Sequence, residues 1–198
     1  MAVRQIKSKE RVANFGEVYT AAREVNSMLD LVKDEASRID STFLEPACGD
    51  GNFLVEIFRR KMETVKNLYG GSAAQYELYS ILAVSSIYGV DIQRDNVEAA
   101  KARMFDQFFV EYVRRFHRQP SLPCQRVISF ILDRNIQCGN TLTYCTEDND
   151  PLIISEWEMD DGGAFIRRDY SYQSLVETGC KAAPVKVYPR ISYPWLCT

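Results

Sequence analysis

Apolar residues recur every three to four positions along several long stretches of the chain, which is the spacing of an amphipathic helix. The predicted helices cover residues 18–39, 52–70, 72–86, 94–116 and 122–133. Shorter, continuously apolar runs lie between some of these stretches and predict buried strands. The predicted strands cover residues 41–46, 86–92 and 135–142.

This alternation predicts an α/β fold with a mainly parallel sheet and helices packed on its faces. Later in the chain the pattern changes: strand-like runs within residues 152–170 flank a turn at 161–163, and a proline-punctuated tail follows. We therefore expect a first domain over residues 1–145 that includes an N-terminal helix. Residues 146–198 should form a β-hairpin appendage and a tail rich in proline and aromatic residues, packed on that domain.

The composition indicates a soluble globular protein. The 198 residues are 46% hydrophobic and 26% charged, which is enough to bury a core and too apolar for a disordered chain. The formal net charge of -3 lacks the basic excess typical of proteins that neutralise many phosphates. Contact with DNA is therefore expected only through a local patch or a partner.

Cysteine and histidine usage argues against a metal site. The six cysteines form no C-x-x-C pair, and the single histidine, His117, lies far from any cysteine cluster. Reduced thiols of an intracellular protein are the simpler interpretation. The N-terminus has no apolar core segment, and no window approaches the ~20 apolar residues of a membrane span. We expect a cytoplasmic protein without membrane contact.

A glycine-rich turn joins the first predicted strand to the next helix, in the string "FLEPACGDGNFL" at residues 43–54. Gly49 and Gly51 allow a tight turn close to a ligand, and the helix N-terminus offers free N–H groups. Leu54 replaces the third glycine of the dinucleotide fingerprint, and no Gly-Lys-Ser/Thr follows for a phosphate-binding loop. Glu45 would repel a pyrophosphate, so the turn suits a ligand with a positive end. A tight turn that binds nothing is the alternative.

A second acid follows the next predicted strand. Asp91, in the string "YGVDI", stands at the carboxyl end of that strand, the edge where doubly wound sheets bind ligands. An acid there can accept hydrogen bonds from both ribose hydroxyls. S-adenosylmethionine offers a cationic amino end to Glu45 and a ribose to Asp91. Taken alone, Asp91 could instead be the N-cap of the following helix.

The strings "FLEPACGDGNFL", "YGVDI" and "IQCGNTL" together resemble the cofactor-binding half of adenine-N6 DNA methyltransferases of restriction-modification systems. The resemblance covers roughly residues 16–143. It implies a partial Rossmann-like methyltransferase fold and S-adenosylmethionine as cofactor. Ala21 stands where the family usually has proline, and Asn140 where aspartate is common. The cofactor-binding residues that the resemblance implies are Thr20, Glu45, Ala47, Cys48, Gly49, Gly51, Asp91, Ile92 and Asn140.

The family's catalytic motif, Asp or Asn followed by Pro-Pro and an aromatic residue, is absent from the chain. That motif grips the exocyclic amine of a flipped-out adenine. The strings "NDPL" at 149–152 and "SYPW" at 192–195 have one proline each. We therefore predict no catalytic residue and no metal ligand, and we expect the isolated chain to be inactive.

Two functions remain open. In the first, the chain is a methyltransferase component that binds the cofactor, while a second subunit supplies the catalytic motif and the contact with DNA. In the second, it is a non-catalytic cofactor-binding or regulatory protein derived from a methyltransferase.

A sheet of three strands would leave the glycine-loop strand with an open edge, which could pair with another chain. Two candidates could cover that edge, the hairpin at 152–170 folding back within the chain or a second subunit docking there, and we expect coverage by the hairpin together with dimerisation. The aromatic residues expected to supply apolar contact are Trp157, Tyr170, Tyr172, Tyr193 and Trp195.

Overall fold

The computed structural model describes residues 8–15 and 20–197 of the chain. The helices are α1 Lys9–Phe15, α2 Ala22–Asp30, α3 Lys33–Ser37, α4 Asn52–Tyr69, α5 Ala73–Ser85, α6 Arg94–Phe116, α7 Leu122–Asn135 and α8 Tyr172–Thr178. The strands are β1 Phe43–Glu45, β2 Ile87–Asp91, β3 Ile136–Cys138, β4 Ile153–Met159, β5 Ala164–Ser171, β6 Lys186–Val187 and β7 Ile191–Ser192. Two short 3₁₀ turns cover Gly179–Lys181 and Tyr193–Trp195.

The first three strands form a parallel sheet in the order β1-β2-β3, so that β2 is central. Helices α4 and α5 connect β1 to β2, and α6 and α7 connect β2 to β3, because parallel neighbours need long crossover connections. The predicted α/β architecture with a parallel sheet is confirmed. It is compatible with part of a Rossmann-like fold.

The sheet and its helices share one apolar core. The side chains of Leu54 and Phe58 on α4, Ile87 on β2 and Phe108 on α6 are completely buried in it. Burial of one such side chain contributes about 1.5–3 kcal/mol. Helix α4 therefore cannot shift without disturbing the core, and its N-terminus has a fixed position at the end of β1.

No helix within the described residues is long and apolar enough to cross a membrane.

Two predicted elements differ from the structure. The helix expected over 18–39 is broken at Val32, whose φ of -123° and ψ of 41° are not helical. The break lets Leu29 on α2 and Ala36 on α3 both face the core, while Leu31 between them is 86% exposed. Positions 18 and 19 of the predicted helix lie outside the described residues. The third strand is also shorter than expected, because it covers only Ile136–Cys138 of the predicted residues 135–142.

The C-terminal hairpin is present, and its turn is held by Asp160. The side-chain Oδ1 of Asp160 accepts hydrogen bonds from the N–H groups of Gly162 and Ala164, and Gly163 has a φ of +76° that favours glycine. Strands β4 and β5 pair along their whole length, and β6 and β7 of the tail both pair with β5.

The hairpin packs on a face of the parallel sheet and leaves its edge open. Tyr88 on β2 donates its hydroxyl to the carbonyl of Ser155, and Gln137 on β3 donates to the carbonyl of Ile153. Among the described residues, no strand pairs with the outer side of β1. The expectation that the hairpin covers this edge is therefore wrong, because side chains of β2 and β3 anchor it.

Candidate cofactor-binding site

The glycine loop folds tightly over the carboxyl end of the sheet. The N–H of Cys48 donates to the carbonyl of Val90 on β2, and the N–H of Gly51 donates to the carbonyl of Cys48, both at 2.9 Å. Gly49 and Gly51 have φ values of +54° and +88°, which side chains of other residues strongly disfavour. The backbone conformation of the loop is by itself enough to require glycine at both positions.

A cavity of about 90 Å³ lies between this loop and the segment before α2. Asn52 links the two parts, since its side-chain amide donates to the carbonyl of Thr20 at 3.2 Å. The cavity therefore lies between a segment before the first strand and the loop after it. The predicted residues that line it are Thr20, Glu45, Ala47, Cys48 and Gly49.

Asp91 is bonded to the loop and to the start of α6 at the same time. Its Oδ2 accepts the N–H of Gly49 at 2.9 Å, and its Oδ1 accepts the N–H of Gln93 at 2.8 Å. The carboxylate therefore fixes the glycine loop against β2 and closes the turn before α6, whose N-cap is Gln93. The alternative that Asp91 is the N-cap of the following helix is therefore wrong, and its contact with a ribose stays a prediction.

Ile92 and Asn140 lie at the same edge but do not line the small cavity. Ile92 follows β2 and is 43% exposed, and the N–H of Gly139 donates to the carbonyl of Asp91. The side-chain oxygen of Asn140 accepts the N–H of Leu142 at 2.9 Å, so it closes a turn. These two residues follow the carboxyl ends of β2 and β3, outside the cavity.

Gly51 faces away from the cavity, toward α6. A Cβ at this position would lie 2.8 Å from the Cβ of Ala100. Its requirement for glycine therefore comes from helix packing as well as from the backbone angle. Gly89 on β2 has a similar role, because a Cβ there would lie 2.7 Å from Leu54 and 3.0 Å from the sulfur of Cys48.

Sequence reasoning missed several residues at this site. Asp50, Asn52 and Phe53 also line the cavity, and their position directly after the glycines could have indicated them. Arg103 on α6 donates to the carbonyl of Asp50 at 2.7 Å and to the side-chain oxygen of Asn52 at 3.0 Å. It lies 51 residues from Asn52 along the chain, so no local signal marks it.

Burial shifts the ionisation of two groups in the loop. Desolvation raises the pKa of Glu45, and a hydrogen bond from the backbone of Ala47 opposes that rise only in part. Desolvation and the nearby carboxylates of Asp91 and Glu45 raise the pKa of the Cys48 thiol strongly. The shift favours the protonated Cys48 thiol, which is a poor nucleophile.

The loop with the string "NDPL" is a structural turn. Asn149 has a φ of +64°, and its N–H donates to the carbonyl of Thr146 at 3.1 Å. Within the part of the chain that the structure describes, no cluster of side chains could hold a metal ion. The cysteines described there as free thiols are Cys48, Cys124, Cys138, Cys145 and Cys197.

The chain is similar to two proteins of Methanocaldococcus jannaschii. A "putative type II restriction enzyme and methyltransferase" is 27% identical over 123 residues, which are 59% of this chain and 10% of that protein. A "type I restriction enzyme MjaVII methylase subunit" is 39% identical over 83 residues, which are 38% of this chain and 13% of that protein. The matched part of the chain thus spans only about a tenth of the length of these curated relatives.

No protein-family model matches the chain, and no solved structure matches it. The two similarities support a methyltransferase-related origin within restriction-modification systems. Their names do not specify methylation of adenine at N6.

Proposed function

We propose that the chain is the S-adenosylmethionine-binding component of a DNA adenine-N6 methyltransferase of the restriction-modification type. One observation carries the proposal: Thr20, Glu45 and the glycine loop line a single cavity at the carboxyl edge of a parallel sheet. Asp91 on the neighbouring strand is bonded to that loop. Parallel α/β sheets bind ligands at this edge.

The chemistry of the cavity suits the methionine end of the cofactor. The half-buried carboxylate of Glu45 is a counter-ion for an ammonium group, and the backbone of the loop approaches closely because Gly49 has no side chain. A volume of about 90 Å³ is well below the ~300 Å³ of a typical complete ligand pocket. The ribose and adenine would therefore lie on the open surface beside Asp91, Ile92 and Asn140. S-adenosylmethionine, when bound, supplies an activated methyl group.

Binding is the first test. Calorimetry with S-adenosylhomocysteine, the demethylated cofactor, should give weak but specific binding, because the chain encloses only one end of the ligand. Glu45→Gln should weaken that binding about tenfold or more. Glutamine keeps the shape of the side chain but removes the negative charge that pairs with the ammonium group of the ligand. Glu63→Gln removes a half-exposed acid on α4 and serves as the control. Equal affinities for all three proteins would contradict the proposal.

The proposal includes a second subunit that supplies the catalytic motif and the contacts with DNA. The purified chain should therefore transfer no labelled methyl group to adenine in DNA, because it lacks a receptor for a flipped base. Addition of a subunit that carries an Asn-Pro-Pro-aromatic motif should restore transfer. Transfer by the isolated chain would show a substitute catalytic loop. If the chain binds the cofactor but no methyl transfer follows when such a subunit is added, a regulatory, non-catalytic protein would be favoured instead.

A further inference from the structure

A second cavity of about 380 Å³ lies where the C-terminal tail passes over α7 and the hairpin. Its size falls within the range of small-ligand pockets. Helix α7 contributes Phe130 and Arg134, which are one turn apart and share a helix face. The tail contributes Tyr188 and Trp195, and Trp195 is 61% exposed at the cavity.

Planar groups form much of the wall. The guanidinium of Arg167 lies 4.3 Å from the ring centre of Tyr188 and is held by a two-point ion pair with Asp169. The rings of Phe130 and Trp157 pack edge to face, with centres 6.1 Å apart. Arginine planes and aromatic rings are the surfaces on which nucleobases stack.

Positive charge accompanies this wall. Arg134 is exposed, its guanidinium carbon lies 5.4 Å from the ring centre of Phe130, and no carboxylate pairs with it within the described residues. The neighbouring acid, Asp133, pairs with Lys101 at 3.0 Å. Lys186 is also exposed and lies over Tyr188 at 4.5 Å. Cationic side chains beside a stacking surface suit a planar ligand that carries a negative group.

This cavity and the candidate cofactor site lie at opposite ends of the strands of the parallel sheet. Arg134 is near the C-terminus of α7, directly before β3 begins at Ile136. Trp157 donates its indole N–H to the side-chain oxygen of Asn135, at that same amino end of β3. The glycine loop follows the carboxyl end of β1, and all three strands are parallel. The second cavity is therefore a separate site.

We infer that the second cavity binds a nucleobase linked to a phosphate, with the base stacked beside Trp195 and the phosphate on Arg134. This inference does not depend on the proposed function. A free mononucleotide and a single strand of DNA share this chemistry. The net charge of -3 opposes extensive contact with duplex DNA, but a single nucleotide needs only one local cation.

The test uses thymidine monophosphate and a short oligothymidylate with the full chain. Neither contains adenine, so neither mimics the proposed cofactor. Calorimetry should detect binding of thymidine monophosphate, while inorganic phosphate alone and thymidine alone should each bind far more weakly. Arg134→Ala and Trp195→Ala should each weaken binding about tenfold, because each removes one of the two anchors. The oligothymidylate should lose affinity as salt rises.

Two further variants separate recognition from folding. Arg114→Ala removes an exposed arginine at the end of α6 that does not line the cavity, and it should leave affinity unchanged. Arg134→Lys keeps the charge and should keep part of the affinity. Binding of the oligothymidylate alone would identify single-stranded DNA as the source of the ligand, and binding of both probes would admit free nucleotides. Absence of binding by both probes, or equal binding by the alanine variants at 134 and 195, would overturn the inference.

Discussion

Lys61 is completely buried in α4, and its ammonium connects the helix to the starts of two strands. It donates to the carbonyls of Ile39 and Ser41 and to the hydroxyl of Ser86, and it lies 5.5 Å from the ring centre of Phe43. Desolvation lowers its pKa from 10.5 to about 7. A single side chain thus fixes the amino ends of β1 and β2, opposite the glycine loop.

We predict that Lys61→Met lowers the free energy of unfolding by about 1–3 kcal/mol, because the carbonyls of Ile39 and Ser41 lose their donor inside the core. Between pH 7 and 10.5 the unfolded chain binds a proton at Lys61 that the folded chain does not. Wild-type stability should therefore rise with pH in this window relative to the variant, and this gain is lost as pH falls through about 7. Urea unfolding at several pH values measures both effects. Lys66→Met, at a partly exposed lysine of the same helix, should change little.

Glu45 gives a prediction about the pH dependence of cofactor affinity. Burial raises its pKa above the ordinary 4.5, and a bound ammonium would favour the carboxylate. Affinity for S-adenosylhomocysteine should therefore fall as pH is lowered through this raised pKa. Glu45→Gln should show no such dependence. A wild-type affinity that is constant across mildly acid pH would separate Glu45 from the ligand.

At the level of elements, the contact between the glycine loop and α6 determines how closely α4 and α6 approach. Gly51 is the N-cap of α4 and lies against Ala100 on α6. From α6, Arg103 also pairs with the carboxylate of Asp50 at 3.1 Å. The loop is therefore held on one side by Asp91 and on the other by a whole helix.

Gly51→Ala should destabilise the protein, because a left-handed backbone costs a residue with a side chain about 1–2 kcal/mol and the new Cβ would overlap Ala100. Addition of Ala100→Gly should relieve the overlap but leave the backbone strain. Thermal unfolding of both single variants and the double variant measures this coupling. Gly71→Ala is the matched control, since Gly71 has neither a positive φ nor any atom within 4 Å of its would-be Cβ. Equal effects at 51 and 71 would contradict this interpretation.

For the whole molecule, the C-terminal residues complete the core from outside the parallel sheet. Phe165 on β5 is completely buried, and Trp157 on β4 is 8% exposed. The end of the tail packs against a different part of the core, because Tyr193 donates to the buried carboxylate of Glu77, which also accepts from Tyr112 and Ser121. The tail thus connects the hairpin, with which β6 and β7 pair, to α5.

Two truncations should separate these contributions. Deletion of residues 151–198 removes the hairpin, exposes Tyr88 and the apolar face around it, and should cause aggregation. Deletion of residues 182–198 keeps the hairpin and should give a soluble but less stable protein. Light scattering and thermal unfolding measure the two outcomes. If the chain without residues 151–198 were as soluble and as stable as the full chain, the hairpin would contribute nothing to stability.

The sequence by itself determined most of the local structure. The helices α4 to α7 were predictable because each has apolar residues at helical spacing between clear stop signals, such as Gly70 before the N-cap Ser72. The glycine loop and its two acids were predictable because backbone freedom and charge are properties of Gly49, Glu45 and Asp91 themselves. These features depend on residues that are close together in the sequence, so the pattern within a short window was enough to predict them.

Only the tertiary structure decided where these elements meet. Nothing near Val32 in the chain shows that a helix must break there so that α2 and α3 both reach the core. The attachment of the hairpin to a face of the sheet depends on Tyr88 and Gln137, which are far from it in sequence. Arg103 reaches the glycine loop, and Trp157 reaches Asn135, for the same reason. Contacts between distant segments depend on packing that no short window of sequence contains.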